Sequence, residues 1–401
     1  MLRRWLACGG VVWVGSFGVA QEAPGSAPQR AQAADPALPD LAAQVKRATT
    51  LLVECQETLD QQSTRDEWPY EGVYREGRDI PLGYRIGGTS IVAWALIESP
   101  HYERSDEARA AVARGVAFVL EHLEHSKMSI GFDASYDVRS WGHTYALNLF
   151  LRLRAKKLVP EGQSQAIDRW ITALVDVLQK TEIVESGGWN YARSKGGSKP
   201  APASPFMTAP TLLALFEARA QGEAVDQAVV QRALDALAEC RTEAGAIPYN
   251  TAATKDEWPG AIGRSAVTEY TLLLAGRSDV TRVRRALDQF LEHWEWLEKR
   301  RKGTGTHVPP YGIAPYYVFY AHGYAAQAIE FLPEAERAGY RKRLLERLFQ
   351  VQEQSGGWND RVFPRSENFG TAMGLLAMLA PTLPHPTGWS PKAESAASGA
   401  K

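Results

Sequence analysis

One pentapeptide occurs twice in this chain, as Ser186-Gly187-Gly188-Trp189-Asn190 and as Ser355-Gly356-Gly357-Trp358-Asn359. A second motif repeats in the same way, as Asp66-Glu67-Trp68-Pro69 and Asp256-Glu257-Trp258-Pro259. Looser Gly-rich breaks lie near residues 131 and 245, and another spans 303–315. These loops recur about every 45–65 residues, a spacing typical of arrays of helical hairpins.

Each loop separates two kinds of predicted helix. Helices with one charged face precede the loops, at 42–59, 105–124, 165–180, 226–240, 280–299 and 333–352. Helices with few charges follow them, at 89–98, 141–153, 206–218, 265–275, 316–331 and 369–379. A helix that is apolar nearly all round is buried on every side, whereas an amphipathic helix buries one face. We therefore predict an all-α fold, an (α/α)6 toroid of about six hairpins with inner and outer helix rings. An open superhelix would leave one layer facing water.

The Gly-Gly-Trp loops and the Gln-bearing helices before them resemble the repeats of terpenoid-cyclase-like toroids, namely the squalene and hopene cyclases and the β subunits of protein prenyltransferases. The residues that carry the resemblance are Leu348, Gln352, Gly356 and Trp358, then Val175, Gln179, Gly187 and Trp189, and more weakly Leu52, Gln56 and Trp68. The resemblance implies the same scaffold over residues 41–380.

The chemistry of that family is not implied by these motifs. The sequence has no Asp-x-Asp-Asp acid run, which the cyclases use. Where zinc-binding prenyltransferases have Asp-x-Cys, Cys240 has Ala238 before it, and the last inner helix has no His. Similarity of scaffold alone does not establish an activity.

The N-terminal residues predict export. Residues 1–20 combine Arg3 and Arg4 with a short apolar stretch and small residues, as in a signal peptide. That stretch is too short to span a membrane, so the mature chain is predicted to have no membrane span and to be periplasmic or secreted. Residues 21–40 read as a flexible leader, 41–380 as the toroid domain, and 381–401 as a disordered tail.

Composition excludes several partners and leaves one question open. The net charge of -1 and the pI near 6.7 argue against a basic surface for nucleic acid. Cys55 and Cys240 could pair, but both lie in predicted packing helices, which favours buried free thiols.

Candidate catalytic residues cluster where loops meet inner helices. Asp133, Asp137 and His143 could supply an acid, a base and an orienting partner, or could be turn caps and a core histidine. His322 lies in an aromatic inner helix, where it could act on a ligand or simply be core. Glu269 is the only acid in its apolar helix, so it is either functional or satisfied by Arg264 or Ser265.

Aromatic residues of the inner helices are candidates for ligand binding, although such residues are often core. They are Tyr136, Trp141, Tyr316, Tyr317 and Tyr320. The sequence has no His-x-x-x-His or Cys-x-x-Cys spacing, no Gly-x-Ser-x-Gly elbow, no P-loop and no dinucleotide fingerprint, so we predict no metal and no cofactor.

Three hypotheses follow from these residues. The leading one is that an unknown ligand, extended and either apolar or glycan-like, binds in a central aromatic-lined cavity. The first alternative is a secreted lyase or hydrolase that acts on a polysaccharide or isoprenoid through Asp and His residues at the mouth. The second is a protein-interaction scaffold, which exposed Trp68 and Trp258 would support.

Overall fold

The computed structural model describes residues 38–59, 64–132, 138–191, 202–253 and 257–390. Within these ranges the chain forms fourteen α-helices, numbered here in chain order, and no extended strand. The outer helices are α1 (Leu41–Glu54), α3 (Asp106–Leu123), α5 (Ser164–Lys180), α7 (Gln227–Glu239), α10 (Val280–Glu292) with α11 (Trp294–Arg300), and α13 (Glu334–Gln350). The inner helices are α2 (Leu82–Glu98), α4 (Arg139–Lys156), α6 (Pro205–Ala220), α9 (Ser265–Leu274), α12 (Tyr317–Ile329) and α14 (Ser366–Leu379). A one-turn helix, α8 (Trp258–Ala261), precedes α9. The predicted fold, six hairpins in two concentric layers, is confirmed.

Burial separates the two layers as the hydrophobic pattern predicts. Every residue of the inner helix α12 is buried. In the outer helix α13 only Leu344, Leu345 and Leu348 are buried, and they lie on one face. The inner helices therefore supply most of the core, and the outer helices cover it with a single stripe each.

Contacts between the first and last hairpins close the ring. The inner helix α14 packs against both α1 and α2. Arg47 donates to the carbonyl oxygen of Ser355 at 2.8 Å, and the guanidinium fills the space where a Cβ on Gly356 would lie. Gly356 has a φ of +93°, which glycine adopts readily. Gln352 also donates to the Gln44 side chain at 2.9 Å, so the repeat motif itself forms the closing contact.

The repeat tryptophans join three of the outer helices to the inner helices that follow them. Trp68, Trp189 and Trp358 are fully buried. Their indole Nε1 atoms donate to the carbonyl oxygens of the preceding outer helices, at 2.6 Å to Leu52, 2.7 Å to Leu178 and 2.9 Å to Leu348. Their backbone N–H groups donate to hydroxyls of the following inner helices, at 2.9 Å to Thr89, 3.0 Å to Thr208 and 3.0 Å to Thr371. The indole and the backbone N–H of each tryptophan are thus bonded in the same way in these three repeats.

Two predicted boundaries are corrected by the structure. The outer helix expected at 280–299 breaks at His293 into α10 and α11. The packed chain also continues past residue 380. Trp389 is 5% exposed, and its backbone N–H donates to the Leu274 carbonyl at 2.9 Å. Residues 381–390 therefore belong to the fold and not to the predicted tail. The predicted signal peptide, most of the leader and residues 391–401 lie outside the described ranges.

Cys55 and Cys240 do not pair in this structure. Both are free thiols, with Cys240 buried and Cys55 half-buried. Burial raises the pKa of Cys55 to about 11 and that of Cys240 to about 12, so neither is a reactive thiolate at neutral pH. Among the described helices, none combines the length and apolar character needed to cross a bilayer.

Candidate functional site

The N-terminal ends of the inner helices meet around an aromatic pocket. Its walls are the side chains of Tyr70, Tyr84, Trp141, Tyr191, Phe206, Tyr316 and Phe369. The cavity between them is about 20 Å³, which is roughly the space for one water molecule. Two of the predicted ligand-binding residues, Trp141 and Tyr316, thus lie in the pocket wall. The space between the rings is much narrower than the open cavity that the sequence suggested, because the aromatic side chains fill it.

The repeat loops place polar side chains beside this pocket, at the end of the ring that we call its aromatic mouth. Tyr70, Tyr191 and Asp360 each lie two residues after a repeat tryptophan. Tyr249 lies two residues after Ile247, which occupies the corresponding place in a loop without the tryptophan. Tyr70 and Tyr191 line the pocket, and Asp360 and Tyr249 bond to them at 3.3 and 2.6 Å, so this position of all four loops lies at the mouth of the ring.

A buried acid and a buried arginine flank Tyr70. The Asp360 carboxyl is fully buried, and its Oδ2 accepts a hydrogen bond from the Tyr70 hydroxyl at 3.3 Å. The Arg361 Nε donates to the same hydroxyl at 3.3 Å, and its guanidinium lies 5.7 Å from the Tyr316 ring centre. Burial raises the pKa of Asp360 to about 7, although the neighbouring Arg361 opposes the shift. A carboxyl with a pKa near neutrality can both give and take a proton at physiological pH.

A chain of hydroxyl groups continues along the rim of the pocket. Tyr191 and Tyr249 share a hydrogen bond of 2.6 Å between their hydroxyls, and Tyr316 lies 3.5 Å from Tyr191. His307 Nδ1 lies 2.6 Å from the Gly312 carbonyl, to which it must donate. Its Nε2 therefore accepts from the Tyr316 hydroxyl at 3.1 Å. Burial lowers the pKa of His307, so the imidazole is neutral at pH 7.

The predicted cluster around α4 is only partly visible. Asp133, Tyr136 and Asp137 lie outside the described residues, so their roles stay predictions. His143 is buried in α4, and its Nε2 lies 3.1 Å from the Met128 carbonyl oxygen. This contact fits the alternative reading of His143 as a core histidine, since it bonds the backbone of a preceding turn.

His322 faces the outer ring and not the mouth. Its Nε2 accepts from the Trp294 indole at 2.9 Å, and its Nδ1 lies 2.6 Å from the Val318 carbonyl. The ring is fully buried and packs edge-on against Phe290. Burial lowers its pKa to about 4. Both ring nitrogens have protein partners, so the proposed role of His322 on a ligand has no support from its position.

Glu269 is satisfied by a partner that the sequence did not indicate. The buried carboxylate accepts two bonds from Arg241, at 2.7 and 3.0 Å, and a third from Ser278 at 2.5 Å. The expected partners, Arg264 and Ser265, bond elsewhere: Arg264 donates to the Pro248 and Gly260 carbonyls, and Ser265 to Ala261. Glu269 therefore joins two elements of the scaffold.

Tyr317 and Tyr320 lie behind the pocket wall. The Tyr317 ring packs under the Arg264 guanidinium at 5.6 Å, and it is fully buried. The Tyr320 hydroxyl donates to the Phe206 carbonyl at 2.8 Å. These two rings support the pocket wall without forming part of its surface.

Sequence reasoning missed the residues of the polar network. They are Tyr70, Tyr191, Tyr249, His307, Asp360 and Arg361. Four of them share a place in the repeat, two residues after Trp or Ile and at the start of an inward loop, which an alignment of the repeats could have shown. His307 carries no such signal, because it comes from the irregular break at 303–315.

Two further expectations bear on the described part of the chain. Within it, no group of three His, Cys, Asp or Glu side chains is arranged to hold a metal ion. Trp68 is fully buried, and Trp258 is half-buried with its indole bonded to the Ala244 carbonyl at 3.0 Å. Exposure of both tryptophans would have supported the scaffold hypothesis, so it loses that support.

No protein-family model matches the sequence, and no curated protein matches it. Solved structures are similar in fold. A D-mannose isomerase superposes with a TM-score of 0.51 at 14% identity, covering 86% of this chain and 97% of the isomerase. The GH76A alpha-1,6-mannanase from Salegentibacter sp. HEL1_6 superposes with a TM-score of 0.50 at 11% identity, covering 84% and 99%. The chain is thus an α/α toroid of the same architecture as these enzymes.

Proposed function

We propose that this protein binds a glycan at the aromatic mouth of the ring. The observation that carries the proposal is the combination of stacked aromatic faces with a connected row of hydroxyls at one opening. Sugars present apolar C–H faces that stack on aromatic rings and hydroxyls that exchange hydrogen bonds with tyrosine and histidine. A purely apolar ligand would leave the row from Tyr249 to His307 without a role. Two toroids with this fold are a mannanase and a mannose isomerase, which adds support at the level of substrate class.

The accessible part of this site is its rim. The pocket rings are less than a tenth exposed, whereas Tyr74, Tyr249 and His307 are half-buried. Tyr74 stacks on Tyr84 at 6.4 Å, which joins the rim to the pocket wall. A sugar chain would therefore lie across the rim side chains, with at most a small group reaching toward the centre.

Binding of neutral and acidic oligosaccharides by isothermal titration would test this proposal. Tyr249→Ala should weaken binding by about tenfold, since one stacking ring and one hydrogen-bonding hydroxyl are lost. The matched control is Tyr340→Ala, because Tyr340 is also half-buried and also uses its hydroxyl, toward Asp288 at 2.6 Å, but on the outer helix α13. Absence of binding across the panel, or equal losses in the two variants, would refute the proposal.

A second candidate function is turnover of the bound glycan with Asp360 as the general acid or base. The specific observation is a buried carboxyl with a pKa of about 7 that touches a hydroxyl of the pocket wall. Tyr70 would pass the proton between Asp360 and the substrate. Hydrolysis by the usual route needs two carboxylates, so a lyase or a proton transfer fits a lone Asp360 better.

The enzyme reading has a separate assay. Incubation with the oligosaccharide panel should release new reducing ends or unsaturated sugar ends. Asp360→Asn should lower the rate by about 10²-fold or more while changing the affinity little, because a general acid or base contributes that much. A wild-type protein that binds glycan but yields no product would leave binding as the function.

Export to the periplasm or outside the cell is part of the proposal and rests on residues 1–20. Cell fractionation of the full-length protein, with mass spectrometry of its N-terminus, should find the mature protein outside the cytoplasm and cleaved near residue 20. An uncleaved cytoplasmic protein would contradict it.

A further inference from the structure

A backbone carbonyl fixes the positions of the hydrogen atoms along the row of hydroxyls at the aromatic mouth. The Gly312 carbonyl oxygen can only accept, so the His307 Nδ1, 2.6 Å away, must carry a hydrogen. Burial lowers the pKa of this imidazole, and the charges of Arg264, Arg300 and Arg361 lower it further. The ring is therefore neutral at pH 7, and its Nε2 has a lone pair and no hydrogen.

Each tyrosine hydroxyl of the row has one hydrogen to donate. The Tyr316 hydroxyl lies 3.1 Å from the His307 Nε2 and must donate to it, because this nitrogen can only accept. The Tyr316 oxygen is then left to accept from the Tyr191 hydroxyl at 3.5 Å. The Tyr191 oxygen in turn accepts from the Tyr249 hydroxyl at 2.6 Å. Only this arrangement places a hydrogen in all three contacts, since reversing the last one would leave none between Tyr191 and Tyr316.

The row ends at Tyr249, on the accessible side of the site. Tyr249 is half-buried, whereas Tyr191 and Tyr316 are buried. The Tyr249 ring packs edge-on against the His307 ring, with the ring centres 4.5 Å apart. Because the Tyr249 hydrogen is directed toward Tyr191, the Tyr249 oxygen offers only lone pairs to a bound molecule. The bound group must therefore supply the hydrogen.

We infer that Tyr249 selects a glycan with a free hydroxyl at this position and rejects one with an O-methyl or carboxylate group there. A sugar hydroxyl donates to the Tyr249 oxygen and extends the row. An ether oxygen or a carboxylate has no hydrogen to donate, so its lone pairs would face those of Tyr249 and the bond would be lost. This specificity rests on the proposed glycan site, because it concerns the group that lies against Tyr249 there.

Neutron diffraction from crystals of the deuterated full chain at pH 7 would locate these hydrogens without any ligand. Deuterium is expected on the His307 Nδ1, and the hydroxyl deuterium of each tyrosine should be directed along the row toward His307. Deuterium on the His307 Nε2, or a Tyr249 deuterium directed away from Tyr191, would overturn the inference. This measurement decides the matter whether or not a glycan binds.

Isothermal titration at pH 7 with mannotetraose, cellotetraose and their mono-O-methyl derivatives would test the selection itself. In the wild type, methylation of the hydroxyl that meets Tyr249 should weaken binding about fivefold or more, the equivalent of one hydrogen bond. Tyr316→Phe leaves the Tyr191 hydrogen free to turn toward Tyr249, so the Tyr249 hydrogen can point outward and donate to the ether. In this variant the same methylation should weaken binding by about twofold or less.

His307→Phe provides a second variant in case Tyr316→Phe fails to fold, with thermal melting as the check. It removes the acceptor that orients the row, so it should also reduce the penalty for methylation. The matched control is Tyr324→Phe, which removes a hydroxyl from another bonded pair, Tyr145 and Tyr324 at 3.0 Å, outside the walls of the aromatic pocket. It should leave the penalty as it is in the wild type.

Two titration results would overturn the inference. One is a wild-type protein that binds every mono-O-methyl derivative as tightly as the parent sugar. The other is an equal penalty in the wild type, Tyr316→Phe and His307→Phe, because the bulk of the methyl group would then explain it. If neither unmodified oligosaccharide binds, the proposed glycan site loses support, and the neutron measurement alone decides the order of the hydrogens.

Discussion

Replacing Asp360 by asparagine should remove a loss of stability that the wild-type protein suffers as the pH rises from about 4 to about 7. The carboxyl is fully buried, and its Oδ2 accepts a hydrogen bond from the Tyr70 hydroxyl at 3.3 Å. Burial raises its pKa from the ordinary value of about 3.8 to about 7 in the folded protein. An asparagine cannot ionise, and its amide can keep a hydrogen bond to Tyr70.

The sign follows from proton binding. Between the two pKa values the folded state holds the Asp360 proton while the unfolded state has lost it. The folded state therefore binds more protons, and the free energy of unfolding falls as the pH rises. At about 1.4 kcal/mol per pH unit, the difference amounts to about 4 kcal/mol between pH 4 and pH 7. The contribution is complete below the unfolded pKa and is gone above the folded pKa.

Urea denaturation of the wild type and of Asp360→Asn at about pH 4, 6 and 8 would measure this effect. The variant should gain stability relative to the wild type as the pH rises, by up to about 4 kcal/mol at pH 8. The control is Asp176→Asn, which alters an exposed carboxylate paired with Lys180 on α5. If the difference between the wild type and Asp360→Asn is the same at all three pH values, Asp360 ionises normally and the reasoning is wrong.

Three further predictions concern the scaffold. Trp358→Phe should lower the free energy of unfolding in urea by about 2 kcal/mol, because the Leu348 carbonyl loses its buried donor; a loss below about 0.5 kcal/mol would contradict this. His322 should lower the free energy of unfolding by about 3 kcal/mol as the pH falls from about 6.5 to about 4, since its lowered pKa lets only the unfolded state take up the proton. In urea denaturation over the same pH range, the free energy of unfolding of His322→Gln should change less with pH than that of the wild type. Glu269→Gln should cost about 3 kcal/mol by leaving Arg241 without its carboxylate, and adding Arg241→Gln should cost less than the sum of the two single changes; strict additivity in the double-mutant cycle would argue against the pair.

The fold could be predicted because it depends on a local pattern. Six helices with one charged face alternate with six apolar ones, and the position of the apolar side chains around each helix determines which face is buried. The regular spacing of the predicted loops, with or without a tryptophan, gives the number of hairpins. The packing of Trp389 could not be predicted in this way, since it depends on a contact with Leu274 in a distant part of the chain.

The site could be predicted only in outline. Trp141 and Tyr316 were identified because they stand in apolar helices near loop ends, where an aromatic ring is conspicuous. Asp360 and Tyr70 were not, because their shared place two residues after a repeat tryptophan is seen only when the repeats are aligned.

What the sequence determined by itself is the pattern of burial: which helices are enclosed, where the turns fall, and that the turns gather at the ends of the inner helices. What only the tertiary structure decided is which side chains meet. Tyr70 and Asp360 are 290 positions apart and come together only when the ring closes. The free energy of hydrophobic burial is spread over many residues, so the local sequence pattern is enough to predict it. A hydrogen bond depends on the positions of two atoms to within a fraction of an ångström, which the local pattern does not determine.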